Sequence, residues 1–308
     1  MTSREVTVKA APGSPEWLKM ITASKIPSIL GISRFKSQFT LWHEMATDED
    51  GRPLLEPTPI SKAQQDDFDY GHAAELAAAE YWRYKNPGWV VSRGEVQYTD
   101  DALEFSNAAT IDGRASRGSW RRIVEIKTAR DLAEWGDDGS GEVPQDYAAQ
   151  VIWQQLITGW HDPANIVLWP QYGKPKIYVI EYDAQLAAAI LGIVREWNAS
   201  LAAGEPPELD DTISTYATVR RLHPEVDDRE VQLDPDLAAD YLTAVADDKE
   251  ITKRLRGLKT RVLDVMGNAQ TAVVIDLKIA TRTPGRGDSI SLRSNTKADP
   301  ATIEGISA

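Results

Sequence analysis

Hydrophobic and polar positions along the 308-residue chain fall into blocks whose period changes. An apolar run predicts a helix over 21–30, closed by Gly31, and a second over 39–46. The acid-, Gly- and Pro-rich stretch 48–59 reads as a loop. Helical spacing returns over 63–84, interrupted near Gly71, with an Ala-rich run over 73–79 that suits close packing, until Pro87-Gly88 stops it. Three strand-like runs follow over 90–98, 105–111 and 121–127, a meander turning around Asp112-Gly113 and Gly118. A helix over 144–159, a hairpin from strands over 165–171 and 176–182, and a helix over 184–203 complete the block. Strands first, with helices to cover the faces, predict an α/β fold.

Composition shifts at Gly204-Glu205-Pro206-Pro207-Glu208, which places a boundary between a domain over 1–204 and a mainly helical extension over 205–308. Asp234-Pro235 starts a long amphipathic helix in which Ile251, Leu255, Leu258 and Val262 recur up to Gly267. That stripe reads as internal packing or a seam between subunits, and Lys249, Lys253, Arg254, Arg256, Lys259 and Arg261 beside it suit DNA retention. Two short strands are expected over 272–277 and 278–283, and the polar tail 284–308 is expected to be partly disordered.

Composition narrows the chemistry. With no cysteine, disulfides, thiolate zinc and iron–sulfur clusters are excluded, so a metal must sit on oxygen or imidazole. No apolar run reaches the ~18–20 residues of a membrane span and the first residues lack a secretion pattern, so a cytoplasmic protein with no membrane partner is expected. A net charge of −13 weighs against nucleic acid, but the bases cluster in 19–36, 114–130 and 249–261, apart from the acids of 47–56, 131–142 and 206–211.

The sharpest local signal is Ile111-Asp112-Gly113 followed by Val124-Glu125-Ile126-Lys127, with Glu75 on the helix before them. Side chains alternate along a strand, so Glu125 and Lys127 share one face while Val124 and Ile126 pack on the other. If Asp112 ends the neighbouring strand on that face, two carboxylates and an ammonium converge. Such hard oxygen donors suit Mg²⁺, and Lys127 can serve the attacking water of a phosphodiester hydrolysis. An acid–hydrophobe–Lys triplet alone is as well read as a salt bridge between strands. The full set, with a helix carrying Tyr147 and Gln150 downstream, is more specific.

Four motifs in order resemble the family of YqaJ-type viral recombinases and phage lambda exonuclease, within the PD-(D/E)xK nucleases. They are Ile21-Thr22-Ala23-Ser24 leading to Ile29-Leu30-Gly31; Gly71-His72-Ala73-Ala74-Glu75; Ala109-Thr110-Ile111-Asp112-Gly113 with Glu125-Ile126-Lys127-Thr128; and Val143-Pro144-Gln145-Asp146-Tyr147 through Gln150-Val151 to Gly159. The resemblance implies a restriction-endonuclease-like core, a mixed central sheet flanked by helices. It also implies a 5′-to-3′ exonuclease on the ends of double-stranded DNA, working beside a single-strand annealing protein. By the same pattern Glu75, Asp112, Glu125 and the Ile126 carbonyl bind Mg²⁺, with Mn²⁺ able to substitute. Lys127 serves the water, Gln150 orients it or the phosphate with Tyr147 close by, and Ser24 and Thr110 match positions that hold the terminal 5′-phosphate.

Three departures qualify this. The region beyond about Pro206 has no counterpart in the smallest family members, so a homo-oligomer is expected but its form is not carried over. The Arg usually found ahead of the Thr-Ala-Ser motif is missing, leaving Lys19 or Lys25 to replace its fork with a point charge. Ile111 stands where a Pro usually precedes the motif Asp. A PD-(D/E)xK endonuclease and a non-catalytic DNA-binding derivative are the alternatives. The first needs a base-reading element that the sequence does not display, and the second would be expected to lack one of Glu75, Asp112, Glu125 and Lys127. His72 is read as structural and the tryptophans mostly as core or surface anchors, with Trp135, in the acidic loop before the Tyr147 helix, the candidate among them for DNA contact.

Overall fold

A computed structural model describes residues 3–6, 10–285, 287 and 289–304. Its elements run in the order β1 (Ser3–Glu5), α1 (Pro15–Lys19), β2 (Ile21–Thr22), a 3-10 turn (Ala23–Lys25), α2 (Ile26–Ile29), α3 (Gln38–Met45), α4 (Lys62–Lys85), β3 (Val90–Asp100), β4 (Asn107–Arg117) and β5 (Trp120–Ala129). There follow α5 (Gln145–Thr158), β6 (Ala164–Pro170), β7 (Lys176–Ile180), α6 (Ala184–Ala203), α7 (Ile213–Leu222), α8 (Pro235–Met266), β8 (Thr271–Val274), β9 (Leu277–Pro284), β10 (Ile290–Ser294) and α9 (Pro300–Glu304).

The first sheet has the order β1-β3-β4-β5-β6-β7, with β2 pairing β4 off this path. The β5–β6 and β2–β4 pairs are parallel and the rest antiparallel, so the sheet is mixed. Both its faces are covered. On one, Ile123 and Ile166 pack with Val151, Ile152 and Trp153 of α5 and Ile190, Val194 and Trp197 of α6. On the other, Val124, Ile126 and Val167 meet Ala78, Ala79 and Trp82 of α4. The alternation Ile123, Val124 sends neighbours to opposite layers, as the strand period requires. This is the expected α/β core with a mixed sheet flanked by helices.

Local differences have physical causes. The predicted helix over 21–30 is β2, a 3-10 turn and one turn of helix, because Ile21 and Thr22 pair in parallel with Asn107 and Ala108 before Pro27 opens α2. Helix α4 runs unbroken through Gly71, its start fixed by a capping box between Ser61 and Gln64. Helix α6 is long and apolar enough to cross a membrane by composition, yet Ala187, Ile190, Val194 and Trp197 form a buried stripe in the core.

The chain divides into Met1–Val226 and Asp227–Ala308, later than the 204/205 boundary that composition suggests. Helix α7 belongs to the first unit. Thr215 Oγ1 donates to Ser37 Oγ at 2.8 Å, and Thr40 Oγ1 meets Ser214 Oγ and Thr218 Oγ1, each at 2.8 Å. In the second unit, α8 is capped by Asp234, whose carboxylate accepts from Asp236 and Leu237 N–H. The tail carries more structure than its polarity suggests, since β10 pairs along β9 from Ile290↔Pro284 to Ser294↔Ala280.

Candidate active site

Strands β4 and β5 pair from Arg117↔Trp120 only as far as Gly113↔Val124. Beyond that point Asp112 takes over from the ladder: its Oδ2 accepts the Ile126 N–H at 2.8 Å. Helix α5 serves the opened edge of β4, with Gln154 Nε2 donating to Thr110 O at 2.9 Å and Trp153 Nε1 to Ala108 O at 3.3 Å. Two neighbouring strands that part in mid-sheet, with α5 laid across the opening, make the site.

A cavity of about 340 Å³ lies there, and its lining includes Glu75, Glu95, Asp112, Glu125, Ile126, Lys127, Gln150, Ser24 and Thr110. Glu125 is buried at 2% exposure and its carboxylate accepts three hydrogen bonds. Oε1 accepts from Lys127 Nζ at 2.6 Å and from Gln150 Nε2 at 2.8 Å, and Oε2 accepts from Gln154 Nε2 at 2.7 Å. Tyr147 stands behind them, its ring centroid 5.1 Å from Lys127 Nζ.

Charge in this cavity is out of balance: four carboxyl groups line it with one ammonium. Burial, reinforced by the charges of Glu125 and Glu75, holds the Asp112 carboxyl well above the usual carboxylate range, although Lys127 and the Ile126 N–H oppose it. Glu75 is raised as well, first by burial and then by Glu95 and Glu125, against His72 and Lys127. Burial by itself would lower the Lys127 ammonium, but Glu125 and Asp112 outweigh it and keep the amine charged. Like charges crowded on hard oxygen donors are what a divalent cation relieves, so the donor set fits one by chemistry. In the arrangement described, Glu125 is closed onto Lys127, Gln150 and Gln154, and no three acidic or imidazole side chains among the described residues converge on a single ligating point.

Eight of the expected residues thus share the cavity: Glu75, Asp112, Glu125, Ile126, Lys127, Gln150, Ser24 and Thr110. Lys25 does not act as expected. It is 4% exposed, and its Nζ donates to the carbonyls of Trp17, Leu18 and Met20 at 2.7, 2.8 and 2.8 Å, which leaves no N–H for a phosphate. Lys19 is exposed and not among the lining residues; its Nζ lies 3.8 Å from where a Cβ on Gly51 would stand. The cavity therefore offers a phosphate the hydroxyls of Ser24 and Thr110, joined by Thr22, whose Oγ1 is 3.0 Å from Ser24 Oγ. Trp135 is buried, its ring 5.5 Å from that of Tyr147 and 5.1 Å from that of Tyr178, so it supports the site's wall rather than DNA.

Two lining or supporting residues escaped the sequence. Gln154, one turn beyond Gln150 on α5, was legible from that spacing of four. Glu95 follows Gly94, whose φ is +97°, in a bulge of β3 between Arg93 and Val96; a lone Gly in a strand run was the signal.

The mixed sheet flanked by helices places one cavity of acidic, basic and amide side chains where β4 and β5 part. The family model described as the YqaJ-like viral recombinase domain matches residues 16–161. Comparison with curated proteins gives no match. Among solved structures, the alkaline exonuclease LHK-Exo from Laribacter hongkongensis is similar at 18% identity and TM-score 0.45, over 61% of this chain and 90% of that one. The structure of LHK-Exo in complex with dAMP gives 19% identity and TM-score 0.46 over 61% and 90%. The protein SSO0001 gives 12% identity and TM-score 0.36 over 62% and 78%.

Proposed function

We propose that the protein is a divalent-metal-dependent 5′-to-3′ exonuclease that degrades linear double-stranded DNA and leaves single strands for an annealing protein to pair. The observation that carries this reading is the Glu125 carboxylate held between Lys127 and Gln150 beside Asp112, at the one place where β4 and β5 part.

Hydrolysis of a phosphodiester needs a water oxygen to bond to phosphorus while the P–O3′ bond breaks, with one proton leaving the water and one reaching O3′. Glu75, Asp112, Glu125 and the Ile126 carbonyl would hold Mg²⁺ or Mn²⁺, which supplies Lewis-acid charge to the phosphoryl oxygens and makes the attacking water more acidic. The chain's own groups do the rest. Lys127, kept charged, donates from Nζ to the incoming oxygen and offsets the charge growing on the phosphoryl group. Gln150 turns its amide from Glu125 toward water or phosphate, while Gln154 keeps the far carboxylate oxygen fixed. Ser24 and Thr110 donate hydroxyls to the terminal 5′-phosphate. With both lysines outside that subsite, hydroxyls alone give a shallow preference for a phosphorylated end.

The test is digestion of a duplex labelled at either end against a covalently closed circle. With Mg²⁺ or Mn²⁺, 5′-labelled mononucleotides should appear first, a 5′-phosphate should help severalfold at most, and the circle should survive. Release from the 3′ end, or equal cutting of the circle, would overturn the reading.

A further inference from the structure

Helix α8 is 32 residues long, roughly 48 Å at the helical rise, and in the second unit it lies almost wholly exposed. Leu237, Tyr241, Ile251, Leu255, Leu258 and Val265 keep between 40% and 87% of their surface. These residues are not scattered. With Ala244, Asp248 and Val262 they occupy positions 237, 241, 244, 248, 251, 255, 258, 262 and 265, separated alternately by four and three. That is the 3.5-residue period of a coiled-coil seam, which needs another helix to fill it. Tyr241, Asp248, Leu255 and Val262 take one core position of the heptad, and Leu237, Ala244, Ile251, Leu258 and Val265 the other. Leu242 and Leu263 lie off it.

We infer that α8 pairs with α8 of a second copy of this chain in an antiparallel coiled coil. Charge selects the partner and its direction. The flanking position just before each member of the first core set holds Asp240, Asp247, Arg254 and Arg261, two acids and then two bases. In an antiparallel coil this row meets itself reversed. When Tyr241 layers on the partner subunit's Leu258 and Ala244 on the partner subunit's Leu255, Asp240 faces the partner subunit's Arg261 and Asp247 faces the partner subunit's Arg254. Twofold symmetry doubles both pairs, so the helix is its own complement.

A parallel, in-register coil fails on the same residues. It would set Asp248 against the partner subunit's Asp248 inside the seam and Arg254 against the partner subunit's Lys259 on its flank, both like-charged. In the antiparallel arrangement Asp248 lies beside the partner subunit's Ile251, a polar core residue that fixes register at some cost in stability. The other flank pairs Val245 with the partner subunit's Thr252, which adds apolar contact and no repulsion.

The experiment uses the full chain, since both units are then present and no folding of a fragment is assumed. Analytical ultracentrifugation should show self-association that weakens at least tenfold in Arg254→Glu/Arg261→Glu, whose four flanking charges are all acidic. Further exchange of Asp240 and Asp247 for Arg should restore it. The altered side chains are exposed, and circular dichroism checks that helix content is kept. Because the chain has no cysteine, Asp236→Cys gives one spin label per copy. Antiparallel pairing puts the two labels roughly 40 Å apart along the axis, whereas parallel pairing keeps them within about 20 Å. A monomer at micromolar concentration, association indifferent to the four charges, or a short label distance would each overturn the inference. None of those results bears on the nuclease cavity, which is tested separately.

Discussion

Two lysines of the first unit, Lys25 buried and Lys127 half-buried, do opposite things. Lys25 commits its three donors to the carbonyls of Trp17, Leu18 and Met20, around the end of α1, in a shell of backbone. Lys127 meets a carboxylate whose other ligands are two side-chain amides, groups that can turn and exchange partners. Both side chains are withdrawn from water, wholly or in part, so burial says little about function. The partner decides: fixed carbonyls make a structural tie, and a carboxylate in a crowded, charge-unbalanced cavity makes a group that can work.

The largest expected effect tests this directly. Lys127→Ala should cost at least a hundredfold in the rate of DNA cleavage, on the order of the 2.7–4 kcal/mol that one preorganised electrostatic group supplies, with little change in melting temperature. Rates per folded molecule within a few fold of the parent would remove Lys127 from the chemistry and erase the contrast with Lys25.

A smaller effect of the opposite kind is expected at Lys25. Lys25→Met removes three hydrogen bonds from the half-buried carbonyls of Trp17, Leu18 and Met20 and should lose on the order of 2 kcal/mol of stability in denaturant titrations while leaving the cleavage rate of the folded fraction unchanged. Its pH signature sharpens the comparison. Burial, then the charge of Lys36, pushes the Lys25 ammonium down to about 7 from 10.5, with Glu44 opposing. Between those values the unfolded chain binds more protons than the folded one, so this group's contribution makes stability rise with pH across that window. The melting temperatures of parent and Lys25→Met should therefore diverge in slope from pH 7 to pH 9; parallel slopes would place the amine elsewhere in its titration.

Much of the site was legible because its residues are tied to strand parity and helix spacing. Glu125 and Lys127 share a face by alternation, and Glu75 falls on a helix whose Ala-rich side had to pack. What the pattern does not encode is where the ladder stops. Nothing in Ile111-Asp112-Gly113 says that β4 and β5 separate there, and the separation is what turns four motifs into one cavity. Lys25 failed as a phosphate ligand for a similar reason: its three acceptors are backbone atoms, which any sequence supplies and no motif marks. Composition suggests an earlier boundary than the contacts do, because α7 is held by hydroxyls of Ser37, Thr40, Ser214, Thr215 and Thr218, which a hydrophobic period cannot register.

The most direct test of the account is the initial rate of nucleotide release from linear duplex DNA in Mg²⁺, measured for the parent and for Asp112→Asn. The account predicts release that stops on chelation, a loss of at least a hundredfold in Asp112→Asn, and DNA binding in Ca²⁺ that the substitution leaves in place. An Asp112→Asn protein cutting at close to the parent's rate would contradict it, because the carboxylate that plugs the parted strands would then have no part in the reaction.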